Sequence, residues 1–215
     1  MQSHKTLFLE LSLELGALRF GEFELKSGRI SPYFFNAGEL STGGAAASLG
    51  LCYAAALAGS DIRFDMLFGP AYKGISLVAL TAAALAEHHG LDRPYAYNRK
   101  EAKDHGEGGS SVGAAISGRV VIVDDVMTAG TAVTEAVQII EAGGGVAAGV
   151  IVALDRQEVA VGSKRSAVRE LEHRLGIPVL SIVSLDDLVA HMQERPEFAQ
   201  HLPAMRAYRE RYGAK

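Results

Sequence analysis

One stretch limits what this chain can fold into: Val120-Val-Ile-Val-Asp-Asp-Val-Met-Thr-Ala-Gly-Thr-Ala132. The β-branched run Val120 to Val123 reads as a strand buried on both faces, the mark of a central parallel strand. Asp124 and Asp125 follow at once. Burying two carboxylates together is costly unless they are paired, so they belong at the strand's exposed end. Thr128 to Thr131 is then a turn of small residues. The helix that follows puts Val133, Val137 and Ile140 on one face. Strand, acids, tight turn and helix start aim several backbone N–H groups at one point, an arrangement that suits phosphate. Gly130 permits close approach and both threonines can donate. The acids can hold sugar hydroxyls or a metal beside that phosphate. An acid pair by itself reads more readily as a plain strand end before a threonine cap. No Gly-Lys-Ser/Thr follows, so this is not a Walker loop.

Bulk properties narrow the classes. The chain has 215 residues, 48% of them hydrophobic, which suits one domain with a sizeable core. A net charge of -4 gives no broad basic field for nucleic acid or anionic membrane. The single cysteine, Cys52, lies in an alanine-rich apolar stretch and reads as a buried free thiol. That fits a reducing cytoplasm. The histidines show no zinc spacing. Glu10 and Glu14 interrupt the N-terminal apolar run, which therefore lacks a signal-peptide pattern. The alanine-rich segments near 45–59 and 74–86 are too short to span a membrane and read as buried helices.

Along the chain, Thr6 to Leu18 is an amphipathic helix candidate. Phe20 to Asn36 reads as two strands around a turn carrying Gly28 and Pro32. Lys26, Phe34 and Phe35 can be a surface lysine and two core aromatics, or a cation and an aromatic wall for a flat anionic ring. Ser41 to Gly59 is a helix. Phe64 to Gly69 is a strand that runs into Pro70-Ala-Tyr-Lys-Gly74 and a helix from about 75 to 88, repeating the central arrangement. Tyr72 and Lys73 then mark either a second anion site or an ordinary strand–helix turn. Tyr95 to Arg99 is a strand. The polar, glycine-rich segment 99–113 is a solvated linker or a mobile lid, and Arg99, Lys100, Lys103 and His105 give it a cationic end. Val146 to Leu154 is a buried strand that delivers Arg156 to its carboxyl end, the ligand edge of open α/β sheets. A helix over 166–175, a strand over 179–183 and helices over 186–193 and 197–212 complete the chain. Alternating strands and helices predict an α/β fold with an open, mostly parallel sheet covered on both faces.

The central motif resembles the ribose-phosphate signature of the type I phosphoribosyltransferases. Nearly the whole chain is similar to the orotate phosphoribosyltransferase family, through Glu24 to Asn36, Phe68 to Gly74, Arg99 to His105, the central motif and Leu154-Asp-Arg156. The resemblance implies one domain over residues 1–215, with a small N-terminal hood around 1–40 and a flexible catalytic lid around 100–117. It implies transfer of a phosphoribosyl group from 5-phosphoribosyl 1-diphosphate to orotate with Mg2+, by a homodimer that shares lid residues across subunits. Carried over by position, Asp124, Asp125, Val126, Met127, Thr128, Ala129, Gly130, Thr131 and Ala132 would hold the ribose and its phosphate. Lys26, Tyr72, Lys73, Arg99, Lys100, Lys103 and His105 would surround the diphosphate. Lys26, Phe34, Phe35, Thr128 and Arg156 would contact orotate. Lys103, Asp124 and Asp125 would be catalytic, and the magnesium would arrive with the substrate rather than on a dedicated protein site.

Two other readings stay open. A phosphoribosyltransferase for another base would have little need of Lys26 and Arg156, which argue for an acidic base. A nucleotide-sensing regulator on the same fold would be expected to lose the lid cations and carry a basic nucleic-acid surface.

Overall fold

The computed structural model describes residues 3–25, 27–100, 111–126, 130–160, 162–163 and 165–214. Helix α1 (His4–Glu14) leads into an antiparallel hairpin, β1 (Leu18–Glu24) and β2 (Ile30–Phe35). After α2 (Gly43–Ala58) come β3 (Met66–Gly69), α3 (Lys73–His89), β4 (Tyr95–Asn98), β5 (Ser111–Gly113) and β6 (Arg119–Val123). The chain continues through α4 (Thr131–Ala142), β7 (Val146–Asp155), α5 (Ala167–Leu175), β8 (Val179–Ser184), α6 (Leu185–Gln193) and α7 (Leu202–Tyr212). Strands β3 to β8 form one six-stranded sheet in the order β5-β4-β3-β6-β7-β8. Every pair in it is parallel except β4–β5 at the edge.

Side-chain alternation on the central strands decides the layers. Val121, Val123, Ile151 and Ala153 pack with Leu49, Tyr53 and Val78 of α2 and α3. Their chain neighbours Val120, Ile122, Val150 and Val152 pack with Val133, Ile140 and Leu171 of α4 and α5. A strand buried on both faces must be apolar throughout, which explains the unbroken run at 120–123. At the amino end of the sheet, Asp65 accepts bonds of 2.9–3.0 Å from the Arg119 amide and guanidinium. They pin β3 against β6, and the guanidinium bonds hold the Asp65 carboxyl well below the usual range.

The topology also fixes where a ligand can sit. From β3 the chain steps outward to β4 and β5, then returns to β6 on the other side of β3 and steps away to β7 and β8. The order reverses between β3 and β6, and a crevice opens outside the carboxyl ends of strands at such a point. Close packing shapes its floor. A Cβ on Gly69 would lie 2.1 Å from the Gly74 carbonyl oxygen, and one on Gly74 would lie 2.7 Å from Pro70 Cδ. Gly69→Ala should therefore cost about 2 kcal/mol, the usual scale of overpacking. An unchanged urea midpoint would show that the turn yields freely.

Four details depart from the sequence reading. Helix α1 stops at Glu14 rather than Leu18, because Gly16 adopts a left-handed φ of +69° and ends it. Leu18 instead begins β1, where it is buried. Pro32 is not in the hairpin turn but inside β2. It lies opposite a register shift between Phe20 and Phe23, where the ladder does not need its missing N–H. The last helix is split into a 3-10 turn, Pro196–Phe198, and α7. The expected lid overlaps β5, which pairs with β4, so residues 111–113 belong to the sheet edge.

Candidate active site

Asp124 and Asp125 lie just beyond β6 at the switch point, and Lys73 opens α3 just beyond β3. Lys73 Nζ is 2.5 Å from Asp125 Oδ2, the lysine half exposed and the acid largely buried. Both acids are fixed through their backbones. The Asp124 amide donates to Ile151 O at 3.0 Å, and the Ala153 amide donates to Asp125 O at 2.8 Å, extending the β6–β7 ladder past the strand end. Tyr53, fully buried on α2, donates its hydroxyl to Asp124 O at 2.8 Å. The Asp125 amide donates to Asp124 Oδ1 at 2.9 Å, which turns that carboxylate back on its own loop. Burial pushes the Asp124 carboxyl up to about 6, helped by the charge of Asp125, although the amide bond and Lys73 act the other way.

Helix N-termini show the same focus. Hydroxyls of Ser3, Thr42, Ser166 and Ser184 cap α1, α2, α5 and α6. Helix α7 also lacks a side-chain cap, but it is α3 and α4 whose N-termini face the crevice, and among the described residues neither has one. Their first amides stay available to an anion. Gly130, in the left-handed region at φ +71°, is the turn residue before α4. Thr131 and Ala132 form the first turn of that helix, and Val126 stands partly buried beside the acids. The turn before α3 is braced by Asn98, whose Oδ1 accepts the Ala71 amide at 2.7 Å. Tyr72 is exposed, with Lys100 Nζ 5.2 Å from its ring centroid. Arg99 follows directly on β4, the neighbour of β3. Lys26, Lys103, His105, Met127, Thr128 and Ala129 lie outside the described residues.

Arg156 does follow the carboxyl end of β7, as expected, but its guanidinium is already engaged. Nε donates to Glu158 Oε1 at 2.7 Å, Nη2 donates to Ser31 Oγ at 2.9 Å, and the group lies 4.2 Å from the Tyr33 ring centroid. The two phenylalanines correct another expectation. Adjacent strand residues point to opposite faces, so their rings cannot form one wall. Phe35 is buried against Phe8, with centroids 5.7 Å apart. Phe34 stacks on Phe23 on the other face at 5.5 Å, with Arg19 nearby. A base beside β2 would meet the ring of one and the backbone of the other. The sequence reading missed Tyr53, Asn98, Ser31 and Glu158. Only Tyr53 had a visible signal, a lone phenol in an alanine-rich helix.

An anion-receptive switch point with a lysine–acid pair marks an α/β fold suited to a phosphorylated ligand, and the family match makes it a phosphoribosyltransferase. Residues 51–175 match the model of the phosphoribosyl transferase domain family. The chain is 58% identical to orotate phosphoribosyltransferase of Pseudomonas putida and 57% identical to that of Shigella flexneri. In both cases the match covers 99% of this chain and 100% of the relative. A crystal structure of the Francisella tularensis orotate phosphoribosyltransferase matches at TM-score 0.87 and 42% identity, covering 96% of this chain and 99% of that one. The chain belongs to the orotate phosphoribosyltransferase family, pentosyltransferases of pyrimidine nucleotide biosynthesis.

Proposed function

We propose that this crevice joins orotate to the phosphoribosyl group of 5-phosphoribosyl 1-diphosphate, releasing diphosphate and giving orotidine 5'-monophosphate. The observation that carries the reading is the meeting of Lys73 and Asp125 at the switch point, below an uncapped α4. Thr128 to Ala132 hold the 5'-phosphate, and Asp124 and Asp125 accept from the ribose hydroxyls. Tyr72, Lys73, Arg99, Lys100, Lys103 and His105 surround the diphosphate. Lys26, Phe34, Phe35, Thr128 and Arg156 contact the base, with Lys26 also near the diphosphate.

The C1–O bond breaks with its electron pair leaving on diphosphate, and a ring-nitrogen lone pair of orotate forms the new C1–N bond. Positive charge builds on the ribose beside the two acids, and negative charge builds on the leaving group beside the cations. The negative charge of orotate sits on its carboxylate, and the attacking ring nitrogen gives up its weakly acidic proton to water or to the departing diphosphate as the C1–N bond forms; positioning with electrostatics supplies most of the rate. Among the described residues no three His, Cys, Asp or Glu side chains converge as a metal cage. Asp124 and Asp125 are the residues that would hold a magnesium ion brought in by the diphosphate. Bound there, it supplies charge neutralisation on the departing oxygens.

The working unit in this reading is a cytoplasmic homodimer in which each lid serves the neighbouring crevice, with no nucleic-acid or membrane partner. The net charge of -4 supports the absence of a nucleic-acid role. Among the described residues no helix is long and apolar enough to cross a membrane. The test is a spectrophotometric assay of orotate consumption with phosphoribosyl diphosphate and magnesium, run beside adenine and hypoxanthine. Orotate should be consumed and the purines left intact. Diphosphate release with a purine but not with orotate would reverse the assignment.

A further inference from the structure

We infer that Glu158, together with Ser31, is a positioning residue that aims Arg156 at the base and so governs preference for an acidic one. The inference rests on the proposed contact between Arg156 and orotate. A strand end fixes only where an arginine begins, because its long side chain leaves the guanidinium free to swing. Here the swing is removed. Nε and Nη2 both lie 2.7 Å from Glu158 Oε1, and Nη2 also donates to Ser31 Oγ. Ser31 is fully buried and tied to Tyr33 O at 2.7 Å, and the Tyr33 ring backs the guanidinium plane. The nitrogen engaged by neither Glu158 nor Ser31 is Nη1. The Tyr208 hydroxyl also interacts with this guanidinium, so a carboxylate meets a group held in place by its neighbours rather than the two-pronged grip that a free arginine offers.

Glu158 is itself held from three sides. Gln157 turns the chain with a left-handed φ of +51°, the one positive φ outside glycine among the described residues, and this brings Arg156 and Glu158 together. A strained residue beside a site calls for a functional reason. Gln157 is locked by Asp186, donating to its Oδ2 at 3.2 Å and accepting its amide at 2.9 Å. The C-terminal end pairs alongside, with the Val159 amide donating to Tyr212 O and the Ala214 amide to Gln157 O, both at 2.8 Å. From the hairpin side, Arg29 Nη1 lies 3.6 Å from Glu158 Oε2, and Arg29 Nη2 donates to Val159 O at 2.9 Å. One carboxylate thus orients two guanidiniums and joins the hairpin, the end of β7 and the end of α7. A side chain needed only for charge balance would not require a strained turn and two braces.

The test is a kinetic comparison of the full-length enzyme. Glu158→Ala should raise KM for orotate about tenfold and leave KM for phosphoribosyl diphosphate within about twofold. Glu158→Gln keeps an oxygen for Nε and should restore orotate KM to within about threefold of wild type. In an Arg156→Ala background, Glu158→Ala should add almost nothing to orotate KM, because the guanidinium it aims at the base is already gone, even though its contact with Arg29 is lost as well. An unchanged orotate KM, an equal rise in both KM values, or multiplying effects in the double variant would overturn the inference. If Glu158→Ala fails to fold by circular dichroism, Ser31→Ala decides, with a threefold rise in orotate KM expected and no rise overturning it. Wild-type enzyme that leaves orotate untouched would instead remove the underlying assignment.

Discussion

Asp124→Asn is expected to make the protein more stable at pH 7.5 by about 3 kcal/mol while lowering turnover about a hundredfold. The wild-type carboxyl is pushed up to about 6 by burial. In the unfolded chain it titrates near its ordinary value of about 4. Between about pH 4 and 6 the folded protein holds a proton that the unfolded chain has lost, so this group favours folding more as pH falls. Above about 6 the carboxylate is charged in both states, and the folded state bears the whole penalty of burying it. A shift of two units at about 1.4 kcal/mol each sets the scale. Asparagine keeps an oxygen for the Asp125 amide without the charge. It cannot oppose positive charge developing on a ribose, which is why turnover falls. Urea unfolding of both forms from pH 4.5 to 8, at one protein concentration, reads the difference directly. A variant less stable at pH 7.5, or a gap that does not shrink on acidification, would show that Asp124 is not a strained charge.

Lys103→Ala is expected to lower kcat by about two to three powers of ten with KM for both substrates changed only a few-fold. The reason is timing. The described crevice already holds one cation, Lys73, against Asp125 before any ligand arrives. Ground-state anchoring has that lysine and the helix amides to draw on, so a lid cation adds most where charge appears late, on the departing diphosphate. An interaction made mainly in the transition state lowers kcat and kcat/KM together. Single-turnover rates separate chemistry from product release. An unchanged rate of the chemical step would place Lys103 outside the reaction, and a large rise in KM at constant kcat would make it an ordinary binding residue.

Much of the fold was legible because its signals are local. The apolar run at 120–123 could only be a strand covered on both sides, and the alternation of Val121 with Ile122 between two cores bears this out. The helix spacing of Val133 and Ile140 likewise predicted the buried face of α4. Local errors have local causes that longer range decided. Leu18 continued a helical spacing by coincidence, and Gly16 had already stopped the helix. Pro32 looked like a turn residue, yet the shifted register across the hairpin gave it a place where no donor is needed.

The sequence by itself determined which chemical groups stand at the strand ends: the acid pair, Lys73 and Arg156. These follow from residue order along one segment, and a strand followed by a turn presents them wherever the segment lies. Only the tertiary structure decided how those groups are aimed. Lys73 meets Asp125, 52 residues further along the chain, because β3 and β6 are neighbours across the reversal of strand order. Phe34 and Phe35 part company because β2 has two faces. Arg156 is committed to Glu158 and Ser31 because a left-handed residue and a hairpin distant in the chain close around it. Orientation of a long side chain depends on what packs against its far end, and those partners come from segments that no local pattern connects.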